Sequence, residues 1–195
     1  MPPITRTLIL INVIVFFIEP MFGDLVIRNF ALWPIGTPHG FPEFMPWQLI
    51  SYGFLHGSPM HLAFNMFALY MFGGDLERVF GANRYLQLYF TAMVTAAIAQ
   101  LVVAYAAGGD PVPVVGASGA IFGVLLAFGM YFPRRMIVLL FPPIPMPAWL
   151  FVILYGVLEL VLGVTGSQEG VAHFAHLGGM LGALLLIMQW RGRLF

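Results

Sequence analysis

Ser118 stands in Gly116-Ala117-Ser118-Gly119-Ala120, where a Pro-bearing loop gives way to the uncharged run from Ile121 to Phe132. A serine at such a junction is either packing filler between helices or a nucleophile, and a nucleophile needs a base at the same depth. His176 is the candidate base. A second pair, His61 and Asn65, is spaced i, i+4 and shares one helical face. Two donors aimed at one point are what a developing oxyanion requires, although Asn65 also suits plain interhelical hydrogen bonding.

Arginines that end three apolar runs allow a depth gauge at about 1.5 Å per residue. Ser118 precedes Arg134 by 16 residues and His176 precedes Arg191 by 15, so they lie roughly 24 and 22 Å from their anchors. His61 and Asn65 precede Arg78 by 17 and 13 residues, or roughly 25 and 20 Å, with local unwinding at Gly73-Gly74 as one source of blur. All four reach one level. Against a hydrocarbon core of roughly 30 Å, that level lies inside the outer boundary, where polar groups face a protein interior or a wet cavity.

The elements that must carry these residues follow from composition. Of 195 residues, 61% are hydrophobic and 8% charged, with mean hydropathy +0.93, which marks a polytopic membrane protein. Net charge is zero and the eight basic residues, all Arg, are dispersed, so there is no footprint for nucleic acid. The absence of cysteine removes disulfides, thiol nucleophiles and thiolate metal sites. Six runs approach spanning length, at about 7–22, 59–76, 85–107, 118–132, 148–164 and 171–190. The first ends at Glu19-Pro20 without a small-residue cleavage site and reads as a retained helix rather than a signal peptide. The expectation is a single domain over 1–195, an all-α membrane protein with six transmembrane helices. Seven of the arginines, Arg28 being the exception, fall where an even number of spans leaves them on one side, which puts both termini in the cytoplasm.

Two features depart from plain spans. The connection 23–58 is rich in Pro, Gly, Trp and Phe, and is read either as partly sunk in the outer interface, with Trp33 and Trp47 as headgroup-level anchors, or as an ordinary outer loop. The run 118–132 is too short to cross, so its N-terminus must sink into the membrane, leaving backbone N–H groups that only a cavity or other protein can face. Gly119 and Gly123, Gly178 and Gly182, and the row Ala175, Gly179, Ala183 are small-residue packing motifs that let two helices approach closely.

Other polar residues receive plainer readings. His56 is assigned to loop backbone, His173 to a structural role, and Glu159 to a water-facing position near the outer end of its span, so His176 has no acidic partner. A metal held by His173, His176, His56 and His61 is disfavoured because no HExxH or His-carboxylate cluster accompanies it. A lid is expected at 163–170, and Trp149 and Phe151 are expected to line a lateral entrance.

Gly116-Ala117-Ser118-Gly119, His61 to Asn65 and Ala175-His176-Leu177-Gly178-Gly179 resemble, in order and spacing, the rhomboid intramembrane serine proteases. The likeness extends to Trp47 through His61 and to Gly73 through Gly81, and so covers essentially the whole chain. It is closest to the basic six-span prokaryotic type. The resemblance implies a rhomboid-like bundle with a long, partly embedded loop between the first two helices and a short, sunken fourth helix. It implies Ser118 as nucleophile and His176 as general base, without a cofactor or metal. The oxyanion hole would be His61 and Asn65 with the Ser118 backbone N–H. Phe122 stands where the family often has a Tyr stacking under the base, and Gln48 replaces a frequent Arg. The implied function is cleavage of transmembrane protein substrates near the outer face of the cell (inner) membrane. A non-catalytic scaffold binding transmembrane helices is the alternative, and a small transporter or metal-handling protein a further one.

Overall fold

The computed structural model describes residues 1–108, 111–138, 143–166 and 172–192. Its helices are α1 (Pro3–Phe22), α2 (Asp24–Phe30), α3 (Gln48–Ser51, followed by a tight turn at Tyr52–Phe54), α4 (Pro59–Ala68), α5 (Gly74–Ala107), α6 (Ser118–Tyr131), α7 (Ala148–Thr165) and α8 (His173–Trp190). Between α6 and α7, strands β1 (Met136–Val138) and β2 (Pro145–Pro147) pair antiparallel, Ile137 opposite Met146. Arg193, one of the arginines counted above for orientation, lies outside the described residues.

Four helical stretches among the described residues are long and apolar enough to cross a membrane: Pro3–Phe22, Pro59–Ala107, Ala148–Thr165 and His173–Trp190. The second runs through one widened turn at Leu69–Gly73 and kinks at Gly81, which leaves helical geometry with φ 73° and ψ 168°. At Gly73 the Tyr85 hydroxyl occupies the place a Cβ would take. Ser118–Tyr131 has 14 residues, about 21 Å of helix, less than a hydrocarbon core.

That short helix is the centre of the bundle. Gly119, Ala120, Ile121, Gly123, Val124, Leu125, Ala127, Phe128 and Gly129 are all buried, while Ser118, Phe122, Leu126 and Met130, at i, i+4 spacing, form one half-buried face. The outer helices instead turn exposed apolar faces outward, with Leu10, Ile14 and Phe17 on α1 and Val157, Leu160 and Val164 on α7. Such a surface suits lipid rather than water. Small residues close the centre: a Cβ on Gly123 would lie 2.9 Å from the Gly179 carbonyl oxygen, and one on Gly178 would lie 2.8 Å from that of Thr95.

The end of the bundle at which α1 begins is fastened by Glu77. Its carboxylate accepts from the Ile4 and Thr5 backbone N–H groups at 2.8 and 2.7 Å and from Thr5 Oγ1 at 2.7 Å, taking up donors that open α1. Asp75 bridges Arg78 and Arg135 nearby.

The connection 23–58 differs from its expected form at Trp33. That ring is only 7% exposed and packs with Ala31 and Leu55, while its Nε1 donates to the Ile27 carbonyl at 3.0 Å. The reason is a strap: Leu32 and Val114 exchange both backbone hydrogen bonds at 2.9 Å, which draws Trp33 inward and joins this connection to the loop ahead of Ser118. Trp33 is therefore core, not an interfacial anchor. Trp47 is exposed, with Nε1 donating to Asn29. Gln48 is fully buried and accepts from the Trp33 backbone N–H at 3.2 Å.

Two further expectations change. Gly163 belongs to α7, which is capped by Gly166 in a left-handed conformation, so 163–165 are helix rather than lid, and 167–170 lie outside the described residues. Phe151 is buried against Tyr155, with ring centroids 4.6 Å apart, and faces Phe72 at 6.5 Å; of the two entrance candidates only Trp149 is exposed.

Candidate active site

Ser118 is the first residue of α6, and the first α6 carbonyl bond runs from Ile121 N–H to Ala117 O. The loop reaches this point through Gly116 at φ 125°, its N–H donating to the Tyr52 carbonyl at 2.9 Å. Only glycine takes that backbone angle without strain. It also leaves room: a Cβ at Gly116 would meet His61 Nε2 at 2.7 Å and Asn65 Nδ2 at 3.7 Å. The two side chains thus converge on the backbone just ahead of Ser118.

The close approach of α6 and α8 brings Ser118 Oγ to 2.8 Å from His176 Nε2. Phe122, one turn below Ser118, lies flat on the His176 ring with centroids 4.2 Å apart and planes 8° from parallel. Asn65 Nδ2 is buried and has no hydrogen-bond partner among the described residues. Buried orphan donors are rare, and this one lies close to Gly116, two residues before Ser118. A cavity of about 550 Å³ is lined by Ser118, His176, His61 and Gly116, with Tyr52 and Gln100 on its walls. Of the five residues singled out from the sequence, Ser118, His176 and His61 line this space; Phe122 stacks behind His176, and the Asn65 amide lies close to Gly116.

Glu159 corrects the sequence reading. It is buried, not water-facing, and its Oε2 lies 2.9 Å from His176 Nδ1 and 2.7 Å from His173 Nδ1. His173 belongs to the same cluster rather than to a separate structural place. A signal for this existed: Ala148, Val152 and Glu159 are the buried face of α7, at offsets of four and eleven residues, about one and three turns. Hydropathy alone conveys depth but not rotation about the helix axis.

The His-carboxylate cluster that seemed missing is thus present, with ligand atoms of Glu159, His173 and His176 within 4.8 Å of one another. Its N···O separations of 2.7 and 2.9 Å are hydrogen-bond lengths. Two ligands about 2.0–2.1 Å from a tetrahedral zinc stand about 3.3 Å apart, so this cluster is set for hydrogen bonding. His56 stays apart from it: its ring meets that of His61 edge-on at 5.1 Å, and neither of its nitrogens has a hydrogen-bond partner among the described residues.

The family model of the Rhomboid domain matches residues 43–192. This chain belongs to the rhomboid family. Rhomboid protein 1, mitochondrial, of Saccharomyces cerevisiae is 36% identical over 139 residues, which take in 70% of this chain and 40% of the yeast protein. Rhomboid protease AarA of Providencia stuartii is 27% identical over 209 residues, 94% of this rhomboid and 71% of that protein. For Rhomboid protease GlpG of Yersinia pestis (strain Pestoides F) the figures are 24% over 187 residues, 94% of this chain and 61% of the relative. The rhomboid match runs through the segments that carry His61, Asn65, Ser118, Phe122, Glu159 and His176.

Proposed function

We propose that this rhomboid is an intramembrane serine endopeptidase that cleaves transmembrane proteins near the outer face of the membrane. The observation that carries the proposal is the 2.8 Å contact between Ser118 Oγ and His176 Nε2 beside a buried, unpartnered Asn65 amide. In this reading the chain crosses six times. The break at Gly81 divides Pro59–Ala107 into two spans, and Ser118–Tyr131 adds a short one. The arginine distribution argues for both termini in the cytoplasm, and the exposed Phe22, Leu25 and Phe30 support a first connection resting in the outer interface.

His176 Nε2 takes the proton from Ser118 Oγ as the oxygen attacks a substrate carbonyl carbon. Charge then gathers on the carbonyl oxygen, where Asn65 Nδ2, His61 Nε2–H and the Ser118 backbone N–H are the available donors. Each such donor contributes about 3 kcal/mol in the transition state. His176 returns the proton to the leaving amine, and an acyl-enzyme on Ser118 remains. Water then attacks the ester with His176 again as base, and the cavity supports its access. Phe122, stacked on the imidazole, holds the ring plane through both steps.

A helical substrate hides its peptide bonds, so cleavage requires local unwinding, which Gly and other helix-weakening residues promote. The test is co-reconstitution in liposomes with a single-span substrate carrying Gly-Ala near its outer end. Cleavage there, abolished by Ser118→Ala and strongly reduced when Gly-Ala becomes Leu-Leu, is the expected result. Substrate binding that survives Ser118→Ala, with no cleavage by the unaltered chain, would instead indicate a helix-binding scaffold.

A further inference from the structure

Ser118 and His176 leave two buried titratable neighbours without a task. Glu159 is 7% exposed and His173 5%, and a fold does not withdraw a carboxylate and an imidazole from water without compensation. The compensation is mutual: both histidines direct Nδ1 at the same oxygen, Glu159 Oε2.

We infer that Glu159 is the positioning residue of the Ser118–His176 pair, extending it to a serine–histidine–glutamate relay, and that His173 fixes the carboxylate by sharing Oε2. The inference rests on the proposed protease reading for its catalytic meaning, though the relay itself is a property of the fold.

The chemistry follows from donor inventories. A carboxylate only accepts, so each Nδ1 at 2.7 and 2.9 Å must carry a hydrogen. With its proton on Nδ1, neutral His176 presents an Nε2 lone pair to Ser118 Oγ. That is the tautomer a general base needs. In the opposite tautomer Nε2–H would point at the serine, and no proton could be taken. Phe122 fixes the plane of the ring but is indifferent to which nitrogen bears the hydrogen. Among the described residues, Glu159 is the contact of His176 that makes that choice. It stays ionised throughout: the proton passes from Ser118 Oγ to His176 Nε2 and on to the leaving amine, and Glu159 only faces the imidazolium formed between. Among the described residues, the groups facing His176 are Ser118 and Phe122 from α6, Glu159 from α7, His173 one turn away on α8, and His61 from α4 across the cavity.

His173 explains how one carboxylate on a lipid-facing helix keeps its aim. It begins α8 and approaches Glu159 from the outer side of His176, so Oε2 is held between two donors. Replacing His173 with Gln retains a donor; replacing it with Leu does not.

The test uses the full chain in detergent, with uniform ¹⁵N labelling at histidine and a fluorophosphonate probe. In the unaltered protein at neutral pH, His176 should show a protonated Nδ1 and an unprotonated Nε2, assigned by loss of the signal in His176→Gln. Glu159→Gln offers both an amide oxygen and an amide N–H to Nδ1, so the tautomers should mix. Its labelling rate at Ser118 should fall by about 10²- to 10⁴-fold, the range for losing a carboxylate that fixes a histidine tautomer. Substrate cleavage should lose kcat with KM retained, Glu159→Asp should recover part of the loss, and His173→Leu should cost more than His173→Gln. A His176 with its proton on Nε2 in the unaltered chain would overturn the relay without any variant. So would folded Glu159→Gln labelling within twofold of the unaltered protein. Failure of the protease reading looks different: the Nδ1–H tautomer would be present, but Ser118 would not label in any variant.

Discussion

Gly179→Ala should unlock the bundle at its tightest point. The added Cβ would fall on the carbonyl oxygen of Gly119 and 2.8 Å from its carbon, with the Ala92 carbonyl oxygen 3.4 Å away. An ordinary carbon–oxygen contact is about 3.3 Å or more, so α6 and α8 must part by about 1 Å. The obstacle is backbone, which cannot rotate aside, and this puts the overpacking cost near the upper end of its usual range, about 3 kcal/mol. Alanine returns about 1 kcal/mol of helix propensity, leaving a net loss of about 2 kcal/mol. Gly156→Ala on α7 is the matched control. Its Cβ meets only Met180 Cε at 3.4 Å and Sδ at 3.8 Å, so the propensity gain of about 1 kcal/mol stands alone. The two variants should differ by about 3 kcal/mol, or about 6–12 °C in melting temperature for a chain of this size. Gly119 adjoins Ser118, and a displacement of about 1 Å there costs about 10²-fold in rate. Thermal unfolding in one detergent and fluorophosphonate labelling measure both quantities. Melting temperatures within 2 °C of each other, or labelling of Gly179→Ala within about twofold of the unaltered chain, would refute the argument that this contact positions Ser118.

Glu77→Ala should cost about 2–4 kcal/mol, because it strands the Ile4 and Thr5 N–H groups and the Thr5 hydroxyl; Glu77→Gln, which keeps an acceptor, should lose less in the same melting assay. Phe122→Ala removes a stacked ring worth about 0.5–1.5 kcal/mol and should slow labelling about 2- to 10-fold, whereas Phe122→Tyr should match the unaltered rate. His56, in the connection before α4, has its pKa pushed down to about 4 by burial, reinforced by the neighbouring His61. Since the unfolded chain takes up that proton first, stability should be undiminished above pH about 6.5 and decline as pH falls toward 4. Melting temperature against pH checks this, and His56→Leu should flatten the decline.

Depth was legible in the sequence because arginines end the apolar runs, and a rise per residue turns position into height. That is why Ser118, His176, His61 and Asn65, distant in the chain, already shared a level, and why Gly119, Gly123 and Gly179 could be read as the means of their approach. Rotation about a helix axis was less legible. Glu159 reads as a water-facing residue, and its burial is not legible, since a helix exposed to lipid carries apolar residues on every side and its buried face stands out only by Ala148 and Val152. Trp33 was misjudged for another reason. Its burial follows from the Leu32–Val114 pairing, a contact between loops 82 residues apart that no local periodicity announces.

The central claim is that Ser118 is a nucleophile activated by His176. Treating the detergent-solubilised chain with a fluorophosphonate and locating the adduct by mass spectrometry tests it directly. The account predicts one adduct, on Ser118, lost in Ser118→Ala and in His176→Ala although both variants stay folded. An adduct elsewhere, equal labelling of His176→Ala, or no labelling of folded protein under conditions where an active rhomboid protease labels would contradict it.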